Sequence, residues 1–185
     1  MYETRQFRKG LKLEIDGVPF AIVDFQHISP GKGSAFTRTK LRNLLNGNQT
    51  EKTFKSGEKV AQADVTTREM QFLYKDAAGY NFMDLTSYEQ IILDEETLGE
   101  DVKFMKEQIV VQIMLYGEKP IGVELPTFIE ALVVKTDPAF KGDTVGGSKP
   151  ATIEPGAVVQ VPFHIKEGDK IRVDTRECIY LEKVK

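Results

Sequence analysis

A single cysteine, two histidines and no tryptophan occur in 185 residues. One thiol cannot close an intramolecular disulfide, nor furnish a structural zinc site of the multi-cysteine type. Two imidazoles, His27 and His164, leave little material for a catalytic metal or a His-dependent triad. No metal, no cofactor and no catalytic residue are therefore expected. Long apolar runs are missing too. The most apolar stretch, Ile109 to Tyr116, has the length of a strand, well short of the roughly 18 residues a membrane helix needs. The N-terminus (Met1-Tyr-Glu-Thr-Arg-Gln-Phe-Arg-Lys) is charged from the outset and lacks a signal peptide's apolar core. A cytoplasmic location without a membrane partner is the expectation.

Charge becomes informative once it is divided along the chain. Residues 1–64 carry 11 Lys/Arg against 7 Asp/Glu, a surplus of four positive charges. Residues 65–127 carry 5 against 12, a deficit of seven, and residues 128–185 balance at 9 against 9. A basic head followed by an acidic middle fits a polyanion met by one end only.

Strand signals dominate: short β-branched runs, period-two alternation and Gly/Pro/Asp punctuation. Leu11 to Ile15 alternates, Asp16-Gly17 marks a tight turn, and Val18 to Phe25 reads as the returning strand. Ser29-Pro-Gly-Lys-Gly33 is a turn, Ala35 to Leu45 a strand and Glu51 to Phe54 another, which together suggest a small barrel over residues 1–64. A second module begins at Val65. It has strands at Met70–Tyr74, Tyr80–Leu85, Gln90–Leu93, Ile109–Tyr116 and Ile121–Leu125, with one short helix in 94–101 capped by Asp94. Five strands and a short helix match a five-stranded oligonucleotide-type barrel. Pro126-Thr127 bounds a third module, 128–185. There Phe128–Lys135, Val158–Val161, Lys170–Asp174 and Ile179–Val184 read as strands, and 137–150 reads as a long polar loop rich in Gly and Pro. A weak echo of Val110-Val-Gln in Val158-Val-Gln is compatible either with a duplicated barrel or with generic strand pairing.

The strongest local feature is Pro30-Gly31-Lys32-Gly33. Proline fixes one turn torsion, and glycine permits torsions that other residues resist. The lysine sits at the extremity of a reversal with little bulk beside it. An ordinary solvated hairpin and a presented cation both fit this pattern. The next strand adds weight to the second reading. Arg38, Lys40 and Arg42 are spaced by two and so leave one face, where a row of cations can track a phosphate backbone. Phe36 shares that face, and Arg8, Lys9 and Lys12 extend the basic surface. Enzymatic readings fit poorly. A phosphate-binding loop needs Ser/Thr directly after its lysine and a glycine six positions before it, but Gly33 and Gln26 stand there. A Schiff-base lysine wants an apolar pocket, which the neighbours of Lys32 do not supply. His164 reads as a structural residue within a strand, Cys178 as a small packed side chain, and the acids Glu95, Glu96, Glu100 and Asp101 as a solvated helix face.

Three stretches carry a resemblance along essentially the whole chain. The first runs from Lys9-Gly10-Leu11 through Pro30-Gly-Lys-Gly-Ser-Ala-Phe36 to Lys40-Leu-Arg-Asn43. The second is Glu51-Lys-Thr-Phe-Lys-Ser-Gly57 with Met70–Tyr74 and Phe82-Met-Asp84. The third joins Gly142-Asp-Thr144, Lys149-Pro-Ala-Thr152 and Gly156–Pro162 to Glu167-Gly-Asp169 and Val173–Arg176. The sequence resembles bacterial elongation factor P. The resemblance implies an all-β chain of three small β-barrel domains, an SH3-like/KOW-type N-terminal barrel (1–64) followed by two OB-fold barrels (65–127 and 128–185), in an L-shaped, tRNA-like arrangement. It implies a non-enzymatic translation elongation factor, expected to be monomeric. Such a factor binds the ribosome beside peptidyl-tRNA, near the ribosomal RNA of the peptidyl transferase centre, and relieves stalling at consecutive prolines.

By the same resemblance Lys32 is the functional tip, modified after translation by a dedicated enzyme, with Pro30, Gly31, Gly33 and Ser34 as its loop. Arg38, Lys40, Arg42, Tyr180 and Lys183 would be RNA contacts, and Gly142, Asp143, Thr144, Gly146 and Gly147 a loop facing the small subunit. Two departures stand out. Cys178 replaces the family's usual glycine, putting its turn in question, and Lys183 replaces arginine, keeping charge but losing the planar fork. A general RNA-binding barrel protein would use the same cations without needing the glycine-flanked lysine. An elongation-factor-P-like paralogue acting on other messages would share the motifs.

Overall fold

A computed structural model of the chain describes residues 1–138 and 146–185. It is built almost wholly of antiparallel strands and divides into two compact units, residues 1–67 with 114–122, and residues 68–113 with 123–185. The first unit holds β1 (Tyr2–Glu3), β2 (Lys12–Ile15), β3 (Val18–Ile28), β4 (Phe36–Asn43), β5 (Gln49–Lys55) and β6 (Lys59–Gln62). They form one sheet in the order β1-β6-β2-β3-β4-β5. Asp16 and Gly17 both take positive φ, 53° and 74°, as a two-residue hairpin turn of the primed type requires. The inward side chains Leu13, Ile22, Leu41, Phe54 and Val60 meet Phe7, whose ring packs edge-on against Phe54 at 5.4 Å. The pairing of β3 with β4 skips from Ile22↔Leu41 to Asp24↔Lys40, which leaves Val23 as a bulge. β1 and β6 had no clear sequence signal: one is two residues long, and the other buries only Val60.

The second sheet comprises β7 (Val65–Asp76), β8 (Gly79–Asp84), β9 (Gln90–Leu93), β10 (Val110–Tyr116) and β11 (Lys119–Glu124), ordered β11-β10-β7-β8-β9. Between β9 and β10 lies α1 (Glu95–Leu98). Asp94 caps it, accepting from the Thr97 amide at 2.7 Å, as read from the sequence. The third sheet comprises β12 (Phe128–Thr136), β13 (Ser148–Ile153), β14 (Val158–Pro162), β15 (Lys170–Asp174) and β16 (Ile179–Lys183), ordered β14-β13-β12-β15-β16. Both sheets follow one plan. The first strand is central, the second and third lie on one side, and the fourth and fifth on the other. The Val-Val-Gln echo does not report this plan, because it matches the fourth strand of one sheet (β10) with the third of the other (β14).

Two sequence readings need correction. The supposed loop 137–150 ends three residues early, because Ser148–Ile153 is the strand β13. Pro150 stands one residue past the last β12 partner, Thr136↔Ala151, so its missing N–H forfeits no bond to β12. Its carbonyl accepts from the Thr136 hydroxyl at 2.9 Å. His164 lies in an exposed turn after β14, not in a strand.

Within the second unit the third barrel packs on the part of the middle one that the unit holds. A 3-10 segment, Gly99–Phe104, follows α1 and delivers Phe104 into the core built by β12–β15, where the ring is 2% exposed among Ile129, Val133, Ile153, Val159 and Ile165. The Ala157 amide donates to the Lys103 carbonyl at 3.0 Å, and Lys106 pairs with Glu154 at 2.7 Å. Phe104→Ala should therefore destabilise the chain by about 3–5 kcal/mol. Thermal or urea unfolding would check this, and the loss should fall on the C-terminal barrel although the residue belongs to the middle one.

Candidate functional site

Strands β3 and β4 stay paired up to Ile28↔Phe36, so the chain between them is a seven-residue loop, Ser29 to Ala35. Lys32 is the fourth of the seven and is exposed. Among the described residues no carboxylate or carbonyl engages its amine. The two glycines differ. Gly33 has φ +110°, a torsion that side chains resist, whereas Gly31 has an ordinary torsion and open space where a Cβ would sit. The backbone therefore needs glycine at 33. At 31 it serves only to keep bulk away from the lysine. Pro30 and Ser34 complete the exposed or half-exposed loop. One rung below its base, His27 Nδ1 and the buried Thr37 hydroxyl share a hydrogen bond of 2.7 Å.

The alternation read for β4 is present. Thr37, Thr39 and Leu41 are buried, while Arg38, Lys40 and Arg42 are exposed on the opposite face. The Thr39 hydroxyl donates to the Lys52 carbonyl at 2.7 Å, which satisfies a buried group. Pairing across the sheet adds what the sequence did not reveal. Lys40 is flanked by Asp24 on β3 and Glu51 on β5, whereas Arg38 lies between Gln26 and Thr53, and Arg42 between Ala21 and Gln49. Asp24 also pairs with Lys9 at 3.0 Å. The hydrogen bond from Lys9, with help from the charge of Lys40, holds its carboxyl below the usual range. The two arginines are thus the less compensated cations of the row.

Tyr180 and Lys183 lie opposite Val173 and Ile171 on β15, so both leave the core-facing side of the sheet at its edge strand. Tyr180 is half-buried and packs on that core. The Lys183 amine is bound to Asp169 at 2.9 Å, and that bond is the main reason the Asp169 carboxyl sits below its ordinary range. An RNA contact by Lys183 would have to compete with this pair. Gly142, Asp143 and Thr144 lie outside the described residues. Gly146 has φ +90°, and Gly147 lies so close to the Phe163 ring that a Cβ would stand 2.2 Å from it. That close approach has no local sequence signal, since 16 residues separate the partners.

Among the described residues no cluster of three or more His, Cys, Asp or Glu could hold a metal ion. Among the same residues no helix is long and apolar enough to cross a membrane. Cys178 takes φ +56° in the β15–β16 turn, so the turn survives the departure from glycine at the expense of strain. Its Sγ lies 3.5 Å from the Val158 carbonyl oxygen, and the side chain packs on the C-terminal core. Cys178→Gly should raise stability by about 1 kcal/mol, and Cys178→Ala, which keeps the strain and loses the sulfur contacts, should not. Melting curves of the two variants check this.

Comparison with known proteins agrees with this architecture. Three family models match in succession: the elongation factor P KOW-like domain over residues 3–60, the elongation factor P OB domain over 65–123, and the elongation factor P C-terminal domain over 129–183. Elongation factor P of Pelotomaculum thermopropionicum is 50% identical over all of both chains. That of Bdellovibrio bacteriovorus is 52% identical over all of this chain and 98% of its own. A solved structure of eukaryotic translation initiation factor 5A from Methanococcus jannaschii covers 67% of this chain and 93% of its own, with a TM-score of 0.54 and 22% identity, a likeness of fold. With three consecutive domain matches and half of all residues shared end to end, the chain belongs to the elongation factor P family of translation elongation factors.

Proposed function

We propose that this chain binds the ribosome beside peptidyl-tRNA and speeds peptide bonds that form slowly, above all those between consecutive prolines. The observation that carries the reading is the placement of Lys32, exposed and without a partner among the described residues, at the midpoint of a short loop on a well-paired hairpin. A thin projection of this kind suits entry into a crevice lined by nucleotides, where the barrel body would not fit. Residues 1–64, 65–127 and 128–185 act as three modules of one monomeric factor. A modifying enzyme lengthens the Lys32 side chain, and the extended group donates hydrogen bonds to the acceptor end of the tRNA.

Proline is a constrained secondary-amine nucleophile, and it also stiffens the chain that donates the acyl group. Much of the barrier is then positional. Holding the acceptor end in an attack-ready geometry recovers part of it. In this account Lys32 positions and does not act as acid, base or nucleophile. Arg38, Arg42 and, less strongly, Lys40 track a phosphate backbone beside the tip. The C-terminal module meets the tRNA through Tyr180, with Lys183 available once it exchanges Asp169 for a phosphate. The segment around Gly142, Asp143, Thr144, Gly146 and Gly147 faces the small subunit.

Lys32→Ala should leave folding and most ribosome affinity unchanged while abolishing stimulation of a Pro-Pro-Pro reporter. Full synthesis of that reporter by the variant would refute the role of the tip. Changing Arg38, Lys40 and Arg42 together to Ala should weaken ribosome association and lower the slope of log affinity against log salt by about two. A salt titration with an unaltered slope would reject the row as an RNA contact.

A further inference from the structure

The turn between β8 and β9 is unusually well tied for an exposed loop. Asp84 Oδ1 accepts from the amides of Thr86 (2.7 Å) and Ser87 (2.9 Å), while Arg68 Nε donates to Asp84 Oδ2 at 2.8 Å. Arg68 Nη2 reaches Glu89 at 2.8 Å, and the Tyr88 amide donates to the Asp84 carbonyl at 2.9 Å. Yet this turn holds Tyr88 at φ +60°, in the left-handed region that a bulky side chain rarely adopts, and leaves the residue 70% exposed. Among the described residues no other ring and no cation stacks on it. A strained backbone that over-determined bonding sustains, carrying a large ring that contributes nothing to its own core, calls for an explanation outside the barrel.

The surroundings of the ring narrow the partner. Glu69 and Glu89 are exposed beside the turn, Asp84 is buried beneath it, Arg68 is tied to Asp84 and Glu89, and residues 65–127 as a whole carry seven more acids than bases. A nucleic-acid strand would be repelled there, whereas an arginine or lysine could lie over the ring with carboxylates beside it. We infer that the β8–β9 turn is a docking anchor, in which Tyr88 receives a basic side chain from a protein partner. Resting on the ribosomal reading above, the partner is a basic protein of the ribosome. The rigid turn presents the ring with little ordering to be lost on binding, which suits an interface anchor.

The test separates strain from recognition. Tyr88→Gly relieves the left-handed torsion, so the full chain should melt about 3 °C higher while its affinity for purified ribosomes falls about tenfold. Tyr88→Phe should melt and bind like the parent. A photoreactive phenylalanine at position 88 should crosslink to a basic ribosomal protein. A lower melting point for Tyr88→Gly would mean the ring supports the fold, and unchanged affinity would mean it meets nothing. Either overturns the proposal while leaving the ribosomal reading intact, as would a crosslink to ribosomal RNA. Parent protein that fails to co-sediment with ribosomes would instead reject that reading and the anchor with it.

Discussion

The antiparallel ladder between β3 and β4 is the constraint on which the candidate site depends. Eight paired positions, from Phe20↔Asn43 to Ile28↔Phe36, hold the two strands together to within seven residues of meeting. Buried Ile22 and Leu41 lock the register at its base, and the His27–Thr37 bond closes it near its end. Because side chains alternate across a strand, one register decides two things together. It places Lys32 at the far end of the reversal, and it turns Arg38, Lys40 and Arg42 to the same exterior face. A slip by one residue would bury the cations and expose Thr37, Thr39 and Leu41.

What the sequence made legible was local. The Asp16-Gly17 turn, the Asp94 cap, the Gln90–Leu93 strand and the alternation of β4 each rest on neighbours within four positions. What it hid was long-range. Asp24 and Glu51 flank Lys40 from 16 and 11 residues away, and only the register brings them there. Gly147 is required by Phe163, a partner on a different strand's end. β13 was masked by composition: Ser148, Lys149 and Pro150 look like loop, yet Lys149 is buried with its amine on the Asp137 carbonyl. Cys178 shows the reverse. The sequence raised the doubt that cysteine would not tolerate glycine's torsion, and the turn between β15 and β16 holds Cys178 at φ +56° regardless.

The two C-terminal barrels repeat one strand order with different chemistry. The middle one concentrates acids and manages them with a tied cation, Arg68, between Asp84 and Glu89. The last one balances its charge in a chain of pairs, Lys170–Glu130–Arg172–Glu182, across neighbouring strands. Apart from Asp84, which is buried, these groups are partly or largely exposed, so such pairs add little to stability. Their consequence is to limit which charges stay available to a partner. Cohesion comes instead from apolar burial, with Phe104 crossing from the sequence of one barrel into the interior of the next.

The bulge at Val23 carries one more implication. Before it, even-numbered residues of β3 point inward, as Ile22 does against Leu41. After it, Asp24 and Gln26 point outward opposite Lys40 and Arg38. The extra residue thus acts as a parity switch, resetting the reading frame of the sheet midway along a single strand. Insertions and deletions in this hairpin are consequently not equivalent to substitutions of similar size. A one-residue change that the bulge absorbs leaves Asp24 opposite Lys40 and the same side chains toward solvent, whereas an odd-length change in the regular part of the ladder shifts the alternation beyond it.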